Sequence, residues 1–396
     1  MASFTVTCAC GELFHADDTS AGRQVRCRRC DRVVTLERSV VAAPQSHATS
    51  TPKRRRRRAA RTGVARVLRI VTWAWVAATA AIALVMWTLG DRWWPATFLL
   101  FMGRWVFLLP LAVLVPAALV LRPKLLLPIA LGALITLGPV MGVRLGLGRL
   151  RPSADGMKVR VVTFNVDGGR EIAPELPMLL ALWTPDILLF QECGEELAAM
   201  TERMAGWHAH HAGPLCMLTR FSIDSARVMD RSSLERVRRD DAAGIGGAGY
   251  VVRYTLTTPA GAIDVTNLHL ETPRKGFEGL MSGDVEQLRE NTTLRNLESS
   301  LARRWVDAGR APAIVAGDFN TPVESRIFQE HWGDLTDAFS HVGVGLGMTK
   351  YNGWIRIRID HVLSNAAWWR TDGAHVWRDV GSDHRALIAD LVLVAR

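Results

Sequence analysis

Residues able to hold a divalent cation or move a proton on phosphate recur in short strings after residue 160. The strings are Thr163-Phe164-Asn165, Gln191-Glu192, Asn267-Leu268-His269-Leu270, Gly317-Asp318-Phe319-Asn320, and Arg358-Ile359-Asp360-His361 together with Ser382-Asp383-His384. Phosphoester hydrolysis asks little covalent chemistry of a protein. It needs a hard cation, a placed water and donors aimed at the phosphate oxygens. A carboxylate and an amide suit Mg²⁺ or Mn²⁺, which favour oxygen ligands. Asp and His supply the base and the oxyanion donors.

Strands must carry these residues. Alternating or apolar β-rich runs recur from Val159–Asn165 to Leu387–Val394, with helical patterns between them at Pro174–Trp183 and Val285–Ala308. In the latter, Leu288, Leu294, Leu297, Leu301 and Trp305 fall at helical spacing. The strands are too many for one doubly wound sheet of this length, so the pattern predicts an α+β fold with two packed β-sheets flanked by helices. Taken singly, Asn165 could end its strand in an Asx turn, and Gly317-Asp318 could be an ordinary turn. Independent turns, however, have no reason to place polar residues at several strand ends together. His361, next to Asp360, should point away from it by strand alternation, which makes it structural.

In order and in their neighbours, these strings resemble the endonuclease/exonuclease/phosphatase superfamily of metal-dependent phosphoesterases, over about Met157 to Arg396. The resemblance implies a four-layer αββα sandwich and gives each residue an expected role. Asn165 and Glu192 become metal-site residues, and Asp383 completes the acidic cluster. Asp318 orients or deprotonates the attacking water, and Asn320 helps to position it. His269 and His384 donate to the phosphate oxygens, with Asp360 fixing the ring of His384. Histidine at 269, where the DNA-repair branch carries tyrosine, is similar to the deoxyribonuclease, sphingomyelinase and inositol-phosphatase side. Substrate stays open among nucleic acid, phospholipid headgroup and small phosphate ester. A second class of answer is a catalytically silent, membrane-tethered module that keeps the fold. Around the site, Arg274 and Lys275 could meet a second phosphate or a headgroup, or be solvated loop charge. Asn267 and Trp354 could line the mouth, and Arg239–Gly249 reads as a loop or tight hairpin.

The first 156 residues are of another kind. From Met157 to Arg396 there are 26 Lys and Arg against 31 Asp and Glu, a net −5, so the earlier part holds +15 of a chain whose formal charge is +10. The catalytic segment therefore lacks the basic footprint of tight nonspecific nucleic-acid binding. Three apolar stretches, Leu68–Leu89, Phe98–Leu121 and Leu125–Val143, match a bilayer's thickness. Arg104 interrupts the second near its start, where it could snorkel to the interface. Lys53–Arg58 precedes the first stretch, and Arg122 with Lys124 fills the second loop. The positive-inside rule then places the N-terminus in the cytoplasm and the catalytic segment beyond an inner or plasma membrane. Arg144, Arg149 and Arg151 count against that orientation.

Cys8-Ala9-Cys10 and Cys27-Arg28-Arg29-Cys30 are close thiol pairs suited to tetrahedral Zn²⁺, although two disulfides would also satisfy them. The segment resembles small bacterial zinc ribbons, with Cys-x-Cys in place of the commoner first Cys-x-x-Cys. Spacing leaves open whether Cys193 and Cys216 pair. The expected organisation is a ribbon over 1–39, a linker with the basic run over 40–66, three transmembrane helices over 67–147 and the catalytic domain over 157–396.

Overall fold

A computed structural model describes residues 3–37, 52–234, 249–309 and 312–394. Most of the stretch Arg239–Gly249 and the part of the linker before Pro52 lie outside them. The chain divides into two compact units, Met1–Gly63 and Val64–Arg396.

In the first unit, Ser3–Thr7 pairs with Leu13–Asp17, and Gln24–Arg26 with Val33–Thr35, both antiparallel. Each hairpin presents one cysteine pair at its turn. Gly11, at φ 86°, takes the left-handed backbone that closes the first.

The second unit is built on two six-stranded sheets. The first runs in the order Trp369–Val376, Leu387–Val394, Gly156–Gly168, Ile187–Cys193, Leu215–Thr219, His208–Ala212. The second runs Ser222–Val228, Tyr250–Thr258, Gly261–His269, Ala313–Asp318, Asp360–Ser364, Thr336–Asp337. Each has one parallel pair near its centre, Gly156–Gly168 with Ile187–Cys193 and Gly261–His269 with Ala313–Asp318.

Strand alternation creates the layers. Val159 and Val161 face the space between the sheets with Leu189, Val265, Ala316 and Val362. Val162 and Phe164 face outward, under the helix Leu176–Trp183. On the other sheet Val251, Leu268, Val315 and Leu363 face outward, packed with Ala302 and Val306 of the helix Val285–Asp307. That helix starts where the Asp284 carboxylate accepts the Gln287 N–H. Two sheets flanked by helices are thus the observed architecture, as the residue patterns predict. A disulfide joins Cys193 to Cys216 on neighbouring strands of the first sheet, with their Cα atoms 5.9 Å apart.

Three helical segments are long and apolar enough to cross a membrane: Thr62–Thr88, Arg104–Leu121 and Pro123–Val140. Two details differ from the sequence reading. The first helix runs without interruption from Pro52 through the basic segment, since Arg, Lys and Ala are good helix formers. The second apolar stretch is broken at Met102–Gly103, and its first part joins the separate helix Trp94–Phe101. That helix is held by the catalytic domain, with the Phe101 ring 5.5 Å from Phe277 and the Arg295 guanidinium 5.2 Å over it.

Arg104 does not snorkel. It is buried, and its guanidinium lies 3.1 Å from the Glu324 carboxylate while donating to the carbonyls of Leu100 and Val140. An arginine at a span end with a buried carboxylate within reach is better compensated there than in a headgroup layer. Asp91, in the loop after the first span, likewise reaches Arg295 at 3.5 Å and accepts from Ser325.

Candidate active site

Register brings the site together. His269 lies beside Asp318 and Asp318 beside Asp360 on three neighbouring strands of the second sheet. Side chains directly opposite one another share a face, so all three turn the same way. From the first sheet come Asn165 and Glu192, at the ends of its two parallel strands. Glu192 and Asn320 occupy left-handed backbone, at φ 52° and 50°. Non-glycine residues hold that conformation only where the surroundings impose it, and such positions concentrate at functional sites.

The Asp318 carboxylate is the hub. Its Oδ2 accepts from Asn165 Nδ2 at 3.1 Å and lies 3.7 Å from His269 Nε2 and 3.6 Å from His384 Nε2. Its Oδ1 accepts the Asn320 N–H at 2.8 Å. Asn165 also donates to Glu192 Oε1 at 2.8 Å, and His269 Nε2 stands 3.8 Å from the same oxygen. The histidine separations are too long for direct hydrogen bonds, which leaves both Nε2 atoms as uncommitted donors. His384 Nδ1 is committed, to Asp360 Oδ2 at 2.8 Å. A donated Nδ1–H fixes the tautomer or the charged form of the ring.

Electrostatics separate the carboxylates. Burial, with Asp360 nearby, raises the Asp318 pKa against the pull of His384 and His269. For Asp360, burial acts upward but His384 outweighs it, and the pKa falls. Burial lowers His384, yet Asp360 and Asp318 reverse that and raise it. The result is an ion-paired His384–Asp360 couple beside a carboxylate of enhanced basicity, an acid and a base separated by environment.

Ser382 locks the last turn to the first sheet, its Oγ donating to the Asn165 carbonyl at 2.8 Å and accepting the His384 N–H at 3.0 Å. Beneath the site, Gln191 donates to Asn267 Oδ1 at 2.7 Å, and Asn267 donates to the carbonyls of Phe190 and Cys216, both at 3.1 Å. Asn267 is thus a buried tie between the sheets rather than part of the mouth. Asp383 is half exposed, 3.9 Å from His384 Nε2, and its carboxylate is paired with Lys350. Arg274 is exposed and Lys275 half-buried, and they reach Glu278 at 3.7 and 3.1 Å. His361 points away from Asp360, to Asp337 Oδ2 at 3.1 Å and the Thr321 carbonyl at 3.0 Å. Arg358 joins that buried network through Asp337, at 2.6 Å. Lys350, Ser382 and Arg295 have structural parts here that residue type alone did not signal, because each acts through a partner distant in sequence.

Donor chemistry at the site fits a hard divalent cation. Asp318, Asp360 and His384 offer ligand atoms within 4.8 Å of one another, Glu192 is joined to Asp318 through the shared Asn165 amide, and Asp360 Oδ1 is buried without a hydrogen-bond partner. Glu192, 41 % exposed at its side chain, is far more accessible than Asp318 or Asp360. Asn165 turns its amide nitrogen towards the carboxylates while its oxygen accepts the Asp167 N–H at 3.1 Å. In the N-terminal unit the four cysteines are free thiols whose sulfurs lie within 4.8 Å of one another. The closest separations, Cys8 to Cys30 and Cys10 to Cys27, are 3.6 Å. Tetrahedral zinc with bonds of about 2.3 Å sets its sulfurs about 3.8 Å apart. The cluster therefore has the dimensions of a metal site and not those of two disulfides.

A profile of the Endonuclease/Exonuclease/phosphatase family matches residues 162–384, more than half of the chain. The protein belongs to this family and is a metal-dependent hydrolase of phosphoester bonds. Comparison with curated proteins finds no match. Among solved structures, a humanised D. rerio TDP2 aligns with TM-score 0.45 and 16% identity, covering 59% of this chain and 98% of that one. The endonuclease/exonuclease/phosphatase from Beutenbergia cavernae DSM 12333 gives 0.45 and 18%, over 60% and 72% of the two chains. The human Nocturnin catalytic domain with bound sulfate gives 0.42 and 16%, over 62% and 99%.

Proposed function

We propose that the chain is a membrane-anchored phosphoesterase whose catalytic domain works outside the cytoplasm. The observation that carries the chemistry is the convergence of Asn165, His269 and His384 on one oxygen of Asp318. Asp318, of raised pKa, aligns the attacking water and takes its proton. Asn320 holds the Asp318 carboxylate through its N–H. His269 and His384 present Nε2–H to the phosphate oxygens, and Asp360 keeps His384 in the donating form. Mg²⁺ or Mn²⁺, held chiefly at Glu192 with Asn165 and Asp318 adjacent, would supply charge neutralisation of the phosphate and the leaving oxygen. With acid, base and histidines all in place, the geometry favours catalysis over a silent binding module. Zn²⁺ is the metal proposed for Cys8, Cys10, Cys27 and Cys30.

The Glu192→Gln variant tests the metal assignment. Gln keeps the shape but loses the charge a hard cation needs, so the Mg²⁺ concentration for half-maximal activity should rise about tenfold or more, with substrate KM little changed. An unaltered metal titration would remove Glu192 from the site.

Support for the orientation comes from where the domain packs. Its partners are Asp91 and Arg104, between the first and second spans, and Arg144–Leu145, which follow the third and pair with Val344–Gly345. All lie at one end of a three-span bundle, opposite Arg122 and Lys124. Arg149, which counted against this orientation, spends its Nε–H and one Nη–H on the carbonyls of Val342 and Ala374, at 2.7 and 3.3 Å. The Cys193–Cys216 disulfide suits an oxidising compartment. Protease added to intact spheroplasts should remove a tag after Arg396 and spare one before Met1. Protection of both would place the enzyme in the cytoplasm.

A further inference from the structure

Between the ends of the second and third spans and the catalytic domain lies a cavity of about 820 Å³, within the range of about 300–1,000 Å³ found for small-ligand sites. Its lining is divided. Trp105 and Met141 come from the span ends, and Leu346, Met348 and Trp377 from the domain. Arg149 and Arg356 are among the lining residues. Arg104 also reaches the wall, but Glu324 neutralises it. Neither Arg149 nor Arg356 has a carboxylate partner among the described residues, and Arg356 lies 5.3 Å over the Tyr351 ring. Val344 and Trp354 of the lining, and the leucines that flank Arg149 in sequence, are apolar side chains exposed to an unusual degree. Leu145, Leu147 and Leu150 are 74%, 66% and 82% exposed, and Val344 and Trp354 60% and 78%. Trp354 packs on Trp105, ring centres 5.9 Å apart, at the start of the second span. Tryptophans and exposed leucines flanking a span end mark headgroup depth.

We propose that this cavity binds one anionic glycerophospholipid from the adjoining leaflet, its phosphodiester on Arg149 and Arg356 and its acyl chains along Trp105, Met141 and Met348. This rests on the membrane-anchored reading. The alternatives are weaker on the same observations. A zwitterionic lipid brings the same single phosphodiester charge together with an ammonium group that two guanidinium groups repel, and a soluble phosphate would leave the apolar wall wet. The planar fork of Arg356 can meet two phosphate oxygens at once, and Arg149 offers the Nη donors not taken by the carbonyls of Val342 and Ala374. The site also borders the catalytic centre. Tyr351 lines the cavity, donates its N–H to the Asp383 carbonyl at 2.8 Å, and follows Lys350, the partner of the Asp383 carboxylate. A lipid seated here would brace the Lys350–Ile357 hairpin from its membrane side.

The test uses the full chain in detergent micelles, with phosphatidylglycerol, phosphatidylcholine and glycerol 3-phosphate as probes and bound lipid counted by native mass spectrometry. One phosphatidylglycerol per chain is expected, retained about tenfold better than phosphatidylcholine and not displaced by millimolar glycerol 3-phosphate. Arg356→Glu, at an exposed position, should weaken retention about tenfold or more, and Arg149→Gln should weaken it in the same direction. Equal retention of the two lipids, retention unchanged in Arg356→Glu, or displacement by glycerol 3-phosphate would each overturn the proposal. Alkaline extraction of native membranes separates the two readings. Release of the wild-type chain would defeat the membrane anchor itself, whereas a chain that stays in the bilayer with no lipid preference defeats only the lipid site.

Discussion

Asp318→Ala and His384→Ala each reduce phosphoester hydrolysis by about two to four orders of magnitude, the loss typical of a removed base or oxyanion donor. Asp318 is the larger of the two, because Asn165, Asn320, His269 and His384 are all arranged about its carboxylate. His384→Ala removes an Nε2 donor and leaves Asp360 buried without the partner that lowers its pKa. Asp360 should then take up a proton, so the fold survives with a modest loss of stability. Asp360→Asn keeps the shape of the partner but removes its charge and its control of the tautomer together. It should lower kcat while leaving KM nearly unchanged, since His384 still donates but is no longer held in one form. Near-wild-type turnover in Asp318→Ala, with folding checked by circular dichroism, would sink the assignment of the base.

How much of this was legible in the sequence depends on the range over which each feature is determined. The sheets were legible because alternation is local. Val159 and Val161 against Val162 and Phe164 define two faces in four or five residues. The chemistry was legible because His269 and Asp318 end such runs, Asp360 begins a strand and His384 precedes the last one, and strand register aligns the first three. Pairings across the chain were not. Nothing near Asn267 announces that Gln191 will claim it, and nothing near Asp383 announces Lys350. The Cys193–Cys216 bridge depends on Leu215–Thr219 lying beside Ile187–Cys193, which is a matter of topology and not of spacing. Apolarity likewise identified the three long apolar helices, yet the break at Met102–Gly103 follows from Phe101 and Arg104 finding partners in the catalytic domain. Hydropathy measures affinity for lipid and is blind to such partners.

The segment of apolar helices should also stabilise the catalytic loop, and Asp91→Ala measures how much. Arg295 is fully buried. Its Nη2 donates at 3.0 Å both to the Asn320 carbonyl and to Thr321 Oγ1, immediately after Asp318. Burial lowers its pKa, and Asp91 is the first charge to oppose that. Without Asp91 a buried guanidinium loses its nearest carboxylate, a change that costs about 3–5 kcal/mol in comparable pairs. Glu271 and Glu298 also act on Arg295 and place the expected loss near the lower figure. A loss of about 3 kcal/mol corresponds to a fall in Tm on the order of 6–12 °C for a domain of this size. Turnover should fall with it, because the Asn320 carbonyl that Arg295 holds belongs to the residue whose N–H fixes Asp318. A fragment starting at Met157 lacks both Asp91 and Arg104, so it should show the same defect or a larger one, with Glu324 unpaired as well. Replacing both partners, Asp91→Leu with Arg295→Met, removes the buried charges together and should recover much of the stability but little of the turnover. If the Met157–Arg396 fragment instead matched the full chain in both Tm and kcat, the anchor would be a tether and no part of the enzyme.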